Sequence, residues 1–258
     1  MDRGMLTAAL RHDRAIVLGG LVAVILLAWA WLLLGAGLGQ ETMEMEGGAI
    51  MAMAPAWTPG YAALVLLMWV VMMAAMMLPG AAPTILLVAG IARRRAGAGG
   101  RVPATAALFA LGYLAVWGAF SLVATATQWG LDQVMLPTTA GTVLAGIVFL
   151  GAGLYQWTPL KAACLRHCRS PLDFILHHWR EGALGALATG MGHGLYCLGC
   201  CWMLMALLFA GGLMNPLWIA AIALLVLVEK TLPWGGRMAQ LSGLALAAWG
   251  IGTLISIA

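Results

Sequence analysis

The stretch Tyr61–Ala92, YAALVLLMWVVMMAAMMLPGAAPTILLVAGIA, contains no charged side chain, and Arg93-Arg94-Arg95 follows it directly. A helix needs about 20 predominantly apolar residues to cross the hydrocarbon core of a bilayer. This run exceeds that length and ends on the cationic cluster expected at a cytoplasmic face. Its two prolines, Pro79 and Pro83, predict a kink or break near its inner end.

The same reading extends outward. Of 258 residues, 63% are hydrophobic and only 9% are charged, with a mean hydropathy of +0.97. A water-soluble domain needs far more charge to cover its surface. Lipid admits only helices and closed barrels, because every backbone polar group must be satisfied within the protein. Barrel strands would alternate over about ten residues, whereas the runs here are continuous. The expected architecture is an all-α polytopic bundle forming one integral membrane domain over 1–258. Spans are read at 15–38, 61–92, 104–128, 139–157, 183–210, 215–230 and 238–257.

The basic residues sort these spans. Arg3, Arg11 and Arg14 precede the first, which is read as an uncleaved anchor with its N-terminus inside. Arg93–Arg95 with Arg101, then Lys161, Arg166, Arg169 and Arg180, then Lys230 and Arg237, mark further inside segments. The segments around 40–59 and 129–138 carry no Lys or Arg, as expected outside. Seven spans satisfy every loop; six, with a buried C-terminal segment, is the alternative. Ser170-Pro171 reads as an N-cap and first helical residue. With Leu172, Ile175, Leu176 and Trp179 at i, i+3, i+4 and i+7, it predicts an interfacial amphipathic helix over 171–181. The net charge of +4 is explained by topology and does not imply nucleic-acid binding.

Chemistry concentrates in Cys, His and Met. His193, Cys197, Cys200 and Cys201 fall on one sector of the fifth span. Thiolate with imidazole suits Zn(II) or Cu(I), and an ionisable side chain at depth in a membrane is a functional hypothesis. The plainer reading packs Cys as a small hydrophobe and hydrogen-bonds His193 to a neighbouring helix. Beside them Gly182, Ala186, Gly190 and Gly194 form a small-residue row that admits a second helix close to His193.

On the inner side Cys164, His167 and Cys168 share a face if that stretch is helical, with His177 or His178 as a further donor. Their depth differs from that of the first cluster, which suggests two sites; a bent fourth span would merge them. Met72, Met73, Met76 and Met77 line the second span. Thioethers bind Cu(I) and little else here, although Met also fills gaps in cores. The loop with Glu41, Met43, Glu44, Met45, Glu46, Met51 and Met53 could gather a cation outside or serve as a solvated linker. Glu229 and Lys230 are adjacent and cannot face each other on a helix. Each is expected to pair elsewhere or snorkel to the interface, and Glu229 could support a ligating His. The five Cys make a poor disulfide framework, and no nucleotide loop, nucleophile elbow or H-E-x-x-H motif occurs.

Several of these runs resemble the DUF2182 family of bacterial membrane proteins: Trp69-Val-Val-Met72-Met73-Ala-Ala-Met76-Met77-Leu-Pro79, Pro159-Leu-Lys161-Ala-Ala-Cys164, Cys168-Arg169-Ser-Pro171, Cys197-Leu-Gly-Cys200-Cys201-Trp202 and Glu229-Lys230-Thr-Leu-Pro233. The resemblance implies a metal-binding protein of the bacterial cytoplasmic membrane, with no metal or reaction named. Binding or translocation of a soft ion, copper or else zinc, is therefore expected, with a metal donor or acceptor protein as partner. No catalytic residue is assigned. A membrane thiol or metal-dependent oxidoreductase, and a non-catalytic assembly factor, are the alternatives.

Overall fold

The computed structural model describes residues 3–35, 42–44, 50–52, 56–96, 102–134, 138–212 and 215–256. The elements run α1 (Arg3–Leu33), β1 (Thr42–Glu44), β2 (Ile50–Ala52), α2 (Pro59–Ala96), α3 (Val102–Val134), α4 (Thr138–Tyr155), α5 (Pro159–Arg169), α6 (Pro171–His178), α7 (Gly182–Gly211), α8 (Pro216–Thr231) and α9 (Gly235–Ile255). The two short strands pair antiparallel, with Met43 opposite Met51. Of the cation-gathering loop, Glu41, Met45, Glu46 and Met53 lie outside the described residues.

The protein is a helical membrane protein. Among the described residues, α1, α2, α3, α7 and α9 are each long and apolar enough to cross a membrane, and α4 with α5 passes as one span bent by 65°. That makes five or six, where seven were expected and six were the alternative. The difference is α8, whose 16 residues extend only about 24 Å. It ends on Glu229 and Lys230, which are buried in the bundle instead of emerging from it.

Local chemistry accounts for several departures from expectation. Of the kink or break expected in α2, the break does not occur: the helix continues through Pro79 and Pro83. The carbonyls these prolines leave without an N–H partner are those of Ala75 and Pro79, and within a packed bundle such a loss is tolerated without ending the helix. The amphipathic helix ends at His178 because Trp179 turns extended. Its inward face is Phe174 and Ile175, while Leu172 and Leu176 point outward. Ser170 occupies the N-cap position without a side-chain cap. The bend into α5 is capped instead by Thr158, whose hydroxyl accepts from the Lys161 amide.

Two close approaches hold the bundle. The small-residue row of α7 receives α3: a Cβ at Gly190 would run into the Phe109 carbonyl, and one at Gly112 into the Leu187 carbonyl. Lipid offers no hydrophobic drive for helices to associate, so dispersion at such contacts carries the packing. Gly190→Ala is therefore expected to cost about 1–3 kcal/mol and to lower the melting temperature in detergent by roughly 5–10 °C. An unchanged melt would mean that the two backbones do not meet there. Elsewhere α1 docks on α2 through Asp13, buried beneath Arg93, which donates to it twice, once at 2.8 Å. The N-terminal end of α1 thus lies beside the cationic end of α2.

Candidate metal centre

On α7, Cys197, Cys200 and Cys201 follow at i, i+3 and i+4, so all three thiols leave one face. Each is buried. Two other helices add sulfur to that face. The bend after Tyr155 turns α5 back along α7 and brings Cys168 Sγ to 3.9 Å from Cys200 Sγ. From α2, the Met77 thioether lies 3.9 Å from Cys201 Sγ. At metal–sulfur bonds of about 2.3 Å, sulfurs 3.9 Å apart subtend roughly 116°. That suits a trigonal or tetrahedral ion better than a linear one. The separate clusters suggested by depth therefore share a wall in the folded chain, and the bent α4–α5 unit is the cause.

Charge surrounds the sulfurs in a defined order. Lys230 of α8 donates from Nζ to Cys197 Sγ at 2.8 Å. It reaches across α2 over Gly80, where a Cβ would come within 3.0 Å of the lysine chain. The Tyr113 hydroxyl stands 2.9 Å from the same sulfur. Behind Lys230, Glu229 faces away and binds Lys161 Nζ at 2.6 Å, both side chains being almost wholly buried. Gln156 adds a donor to Glu229 at 2.9 Å and a second to Ser242. Of the two expectations for the adjacent Glu229 and Lys230, it is pairing with different partners that the structure shows, and both side chains are buried. Two buried cations and one buried carboxylate flank the thiols.

Not every sequence candidate joins this group. Cys164 packs half-buried against Gly199, whose missing Cβ leaves space for its sulfur. His167 turns the other way, stacked on Tyr196 at 4.2 Å with Nδ1 against its own Ala163 carbonyl. The spacing that put Cys164, His167 and Cys168 on one face therefore does not bring them to one point. His193 lies one turn before Cys197 among the rings of Phe109, Tyr113 and Phe174. Its Nδ1 is buried and has no hydrogen-bond partner among the described residues. Met72, Met73 and Met76 are buried in the apolar core with Met68 and Trp69. Sequence reasoning did not single out Lys161, Tyr113 or Gln156. Lys161 stood inside a quoted motif, three residues before Cys164; nothing local marked the other two.

All five cysteines are free. Cys200 and Cys201 both direct their S–H to the Cys197 carbonyl at 3.0 Å. Accordingly, among the described residues no three Cys, His, Asp or Glu side chains stand ready to hold a metal ion as they are. Loss of those thiol protons would release both sulfurs to turn about χ1, since a thiolate has nothing to donate to a carbonyl.

A helical membrane bundle with buried free thiols and a thioether gathered from three helices has the donor chemistry of a soft-metal-handling membrane protein. The chain matches the model of the PpoB2 family, described as a copper chaperone, over residues 66–253, and it belongs to that family. The matched segment contains every residue of the sulfur group and its charged surround; α1 and the strands around 42–52 lie before it. No curated protein matches the chain. No solved structure matches it either.

Proposed function

We propose that this chain binds Cu(I) inside the membrane on Cys168, Cys197, Cys200 and Cys201, with the Met77 thioether beside them, and passes the ion to or from a soluble metal-donor or acceptor protein. The observation that carries this reading is the meeting of soft donors from α2, α5 and α7 at sulfur–sulfur distances of 3.9 Å. Thioether with thiolate selects Cu(I) over harder ions, and zinc is the less suited occupant. Charge agrees. Two thiolates, the Lys230 ammonium and one monovalent cation sum to zero, and a low-dielectric interior penalises any remainder. His193, with its free buried nitrogen one turn away, is a further donor on the path of the ion. Cys164 and His167, which pack on Gly199 and Tyr196 of α7, serve as the hand-off point, and the core methionines Met72, Met73 and Met76 as further soft donors.

The motifs that resemble DUF2182, from Trp69 to Pro233, all fall inside the segment matched by the copper chaperone family, and the two descriptions agree on metal handling. The bundle is read as sitting in the cytoplasmic membrane of a bacterium with its N-terminus inside. The contact of Asp13 with Arg93 supports the orientation by putting the start of α1 beside the cationic end of α2.

The test is loading. Protein purified in mild detergent and challenged with Cu(I) should hold about one copper per chain by mass spectrometry, and zinc should not displace it. Folded protein that takes up no copper would overturn the reading. Thiol trapping in native membranes addresses the redox alternative: cysteines that stay reduced during respiration agree with ligation, and cycling ones with an oxidoreductase.

A further inference from the structure

A second feature lies apart from the sulfur group. Where the turn from α4 to α5 meets the turn from α8 to α9, the surface opens into a cavity of about 680 Å³. Arg169, Arg237 and Lys161 line it, Trp157 and Trp234 stand at its rim, and among the described residues no carboxylate faces it. The charge of Lys161 is balanced by Glu229. The two arginines have no such balance: among the described residues neither takes part in an ion pair.

Arg169 is nevertheless held in place. Its guanidinium donates to the carbonyls of Leu232, at 2.8 Å, and Pro233, which fixes a cation at the wall without neutralising it. Arg237 is exposed. Arginines alone at a membrane surface are what topology requires. Here, however, two of them, 68 positions apart in the chain (237 − 169), converge on one concavity. Beside it runs bare hydrocarbon: Leu154, Leu160, Leu241 and Leu244 are each more than half exposed. The indole of Trp157 donates to the Gln240 carbonyl at 3.2 Å, so this leucine surface and the cavity are continuous.

Two uncompensated cations next to an apolar track fit an anion that carries acyl chains. We propose that the cavity binds the phosphate of an anionic phospholipid, with Arg169 and Arg237 as its partners. The indoles of Trp157 and Trp234 sit at headgroup level, and the acyl chains lie along the leucines of α4 and α9. Basic pockets between membrane helices take anionic headgroups in this manner. Inorganic phosphate would satisfy the arginines and leave the leucine surface without a role. The site lies one residue from Cys168, so its occupant would tie the thiol-bearing end of α5 to the start of α9.

The experiment uses the intact protein in mixed micelles containing dioleoyl phosphatidylglycerol or dioleoyl phosphatidylcholine, with retained lipid read by native mass spectrometry. Phosphatidylglycerol should be retained in preference by roughly tenfold or more. Arg237→Gln, at an exposed position, should melt like the wild type in lipid-free detergent and lose most of that preference, while Arg237→Lys keeps it. Equal retention of the two lipids, or a preference untouched by Arg237→Gln, would overturn the proposal. So would inorganic phosphate raising the melting temperature as much as phosphatidylglycerol does, which would assign the cavity to a free anion.

Discussion

Changing Cys197 and Cys200 together to Ser is expected to abolish copper retention, from about one ion per chain to less than roughly a tenth. Cys200 is the thiol that faces Cys168 across the α5–α7 boundary, and Cys197 is the sulfur that carries both Lys230 and Tyr113. Removing both leaves Cys168 and Cys201 without a donor between them. A serine hydroxyl is a hard donor that stays protonated, so it cannot replace a thiolate toward a soft ion. The substitution is nearly isosteric, and the oxygen at position 197 can still accept from Lys230, so the fold should survive. Copper per chain, measured beside a melting curve, gives the answer. Wild-type copper content in a folded double variant would remove this group of thiols from the account.

Lys161→Met should be the most destabilising single change outside the helix contacts. It strands the Glu229 carboxylate in a buried position, and breaking one side of a buried pair costs about 3–5 kcal/mol. Gln156 still donates to Glu229, which puts the expected loss toward the lower end. The measurement is thermal or denaturant unfolding in detergent, with Lys161→Met/Glu229→Leu as the control. Replacing both ions by apolar groups of similar volume is often neutral, so the double variant should recover most of the stability. A single variant that melts within a degree of the wild type would show that the pair contributes nothing.

Two kinds of information separate what could be read in the chain from what could not. Hydropathy is local, so the long apolar runs announced a helical membrane protein before any tertiary contact was known. The face shared by Cys197, Cys200 and Cys201 was equally readable, because helical spacing alone sets it. The arrival of Cys168 was not. It depends on a 65° turn at Gln156–Thr158, whose direction is decided by packing against α7. The same spacing rule misled at His167, where stacking on Tyr196 outweighed any pull toward the thiols. Pro79 and Pro83 pointed to a kink or break because a proline removes a backbone donor; the helix nonetheless runs through both. Lys161 was hidden for a different reason. A lysine in a basic segment reads as a topology signal, and only the arrival of Glu229 from α8 shows that it is an interior ion.

Sequence distance also sets a clock. Lys161 waits for a partner 68 residues downstream, and Cys197 for one 33 residues downstream. While the chain is being made, the sulfur face of α7 is complete long before its counter-charges exist. Glu229 and Lys230 enter together, on consecutive residues, and discharge both obligations at once. A chain stopped short of α8 therefore holds an unbalanced Lys161 and a Cys197 sulfur without its ammonium partner.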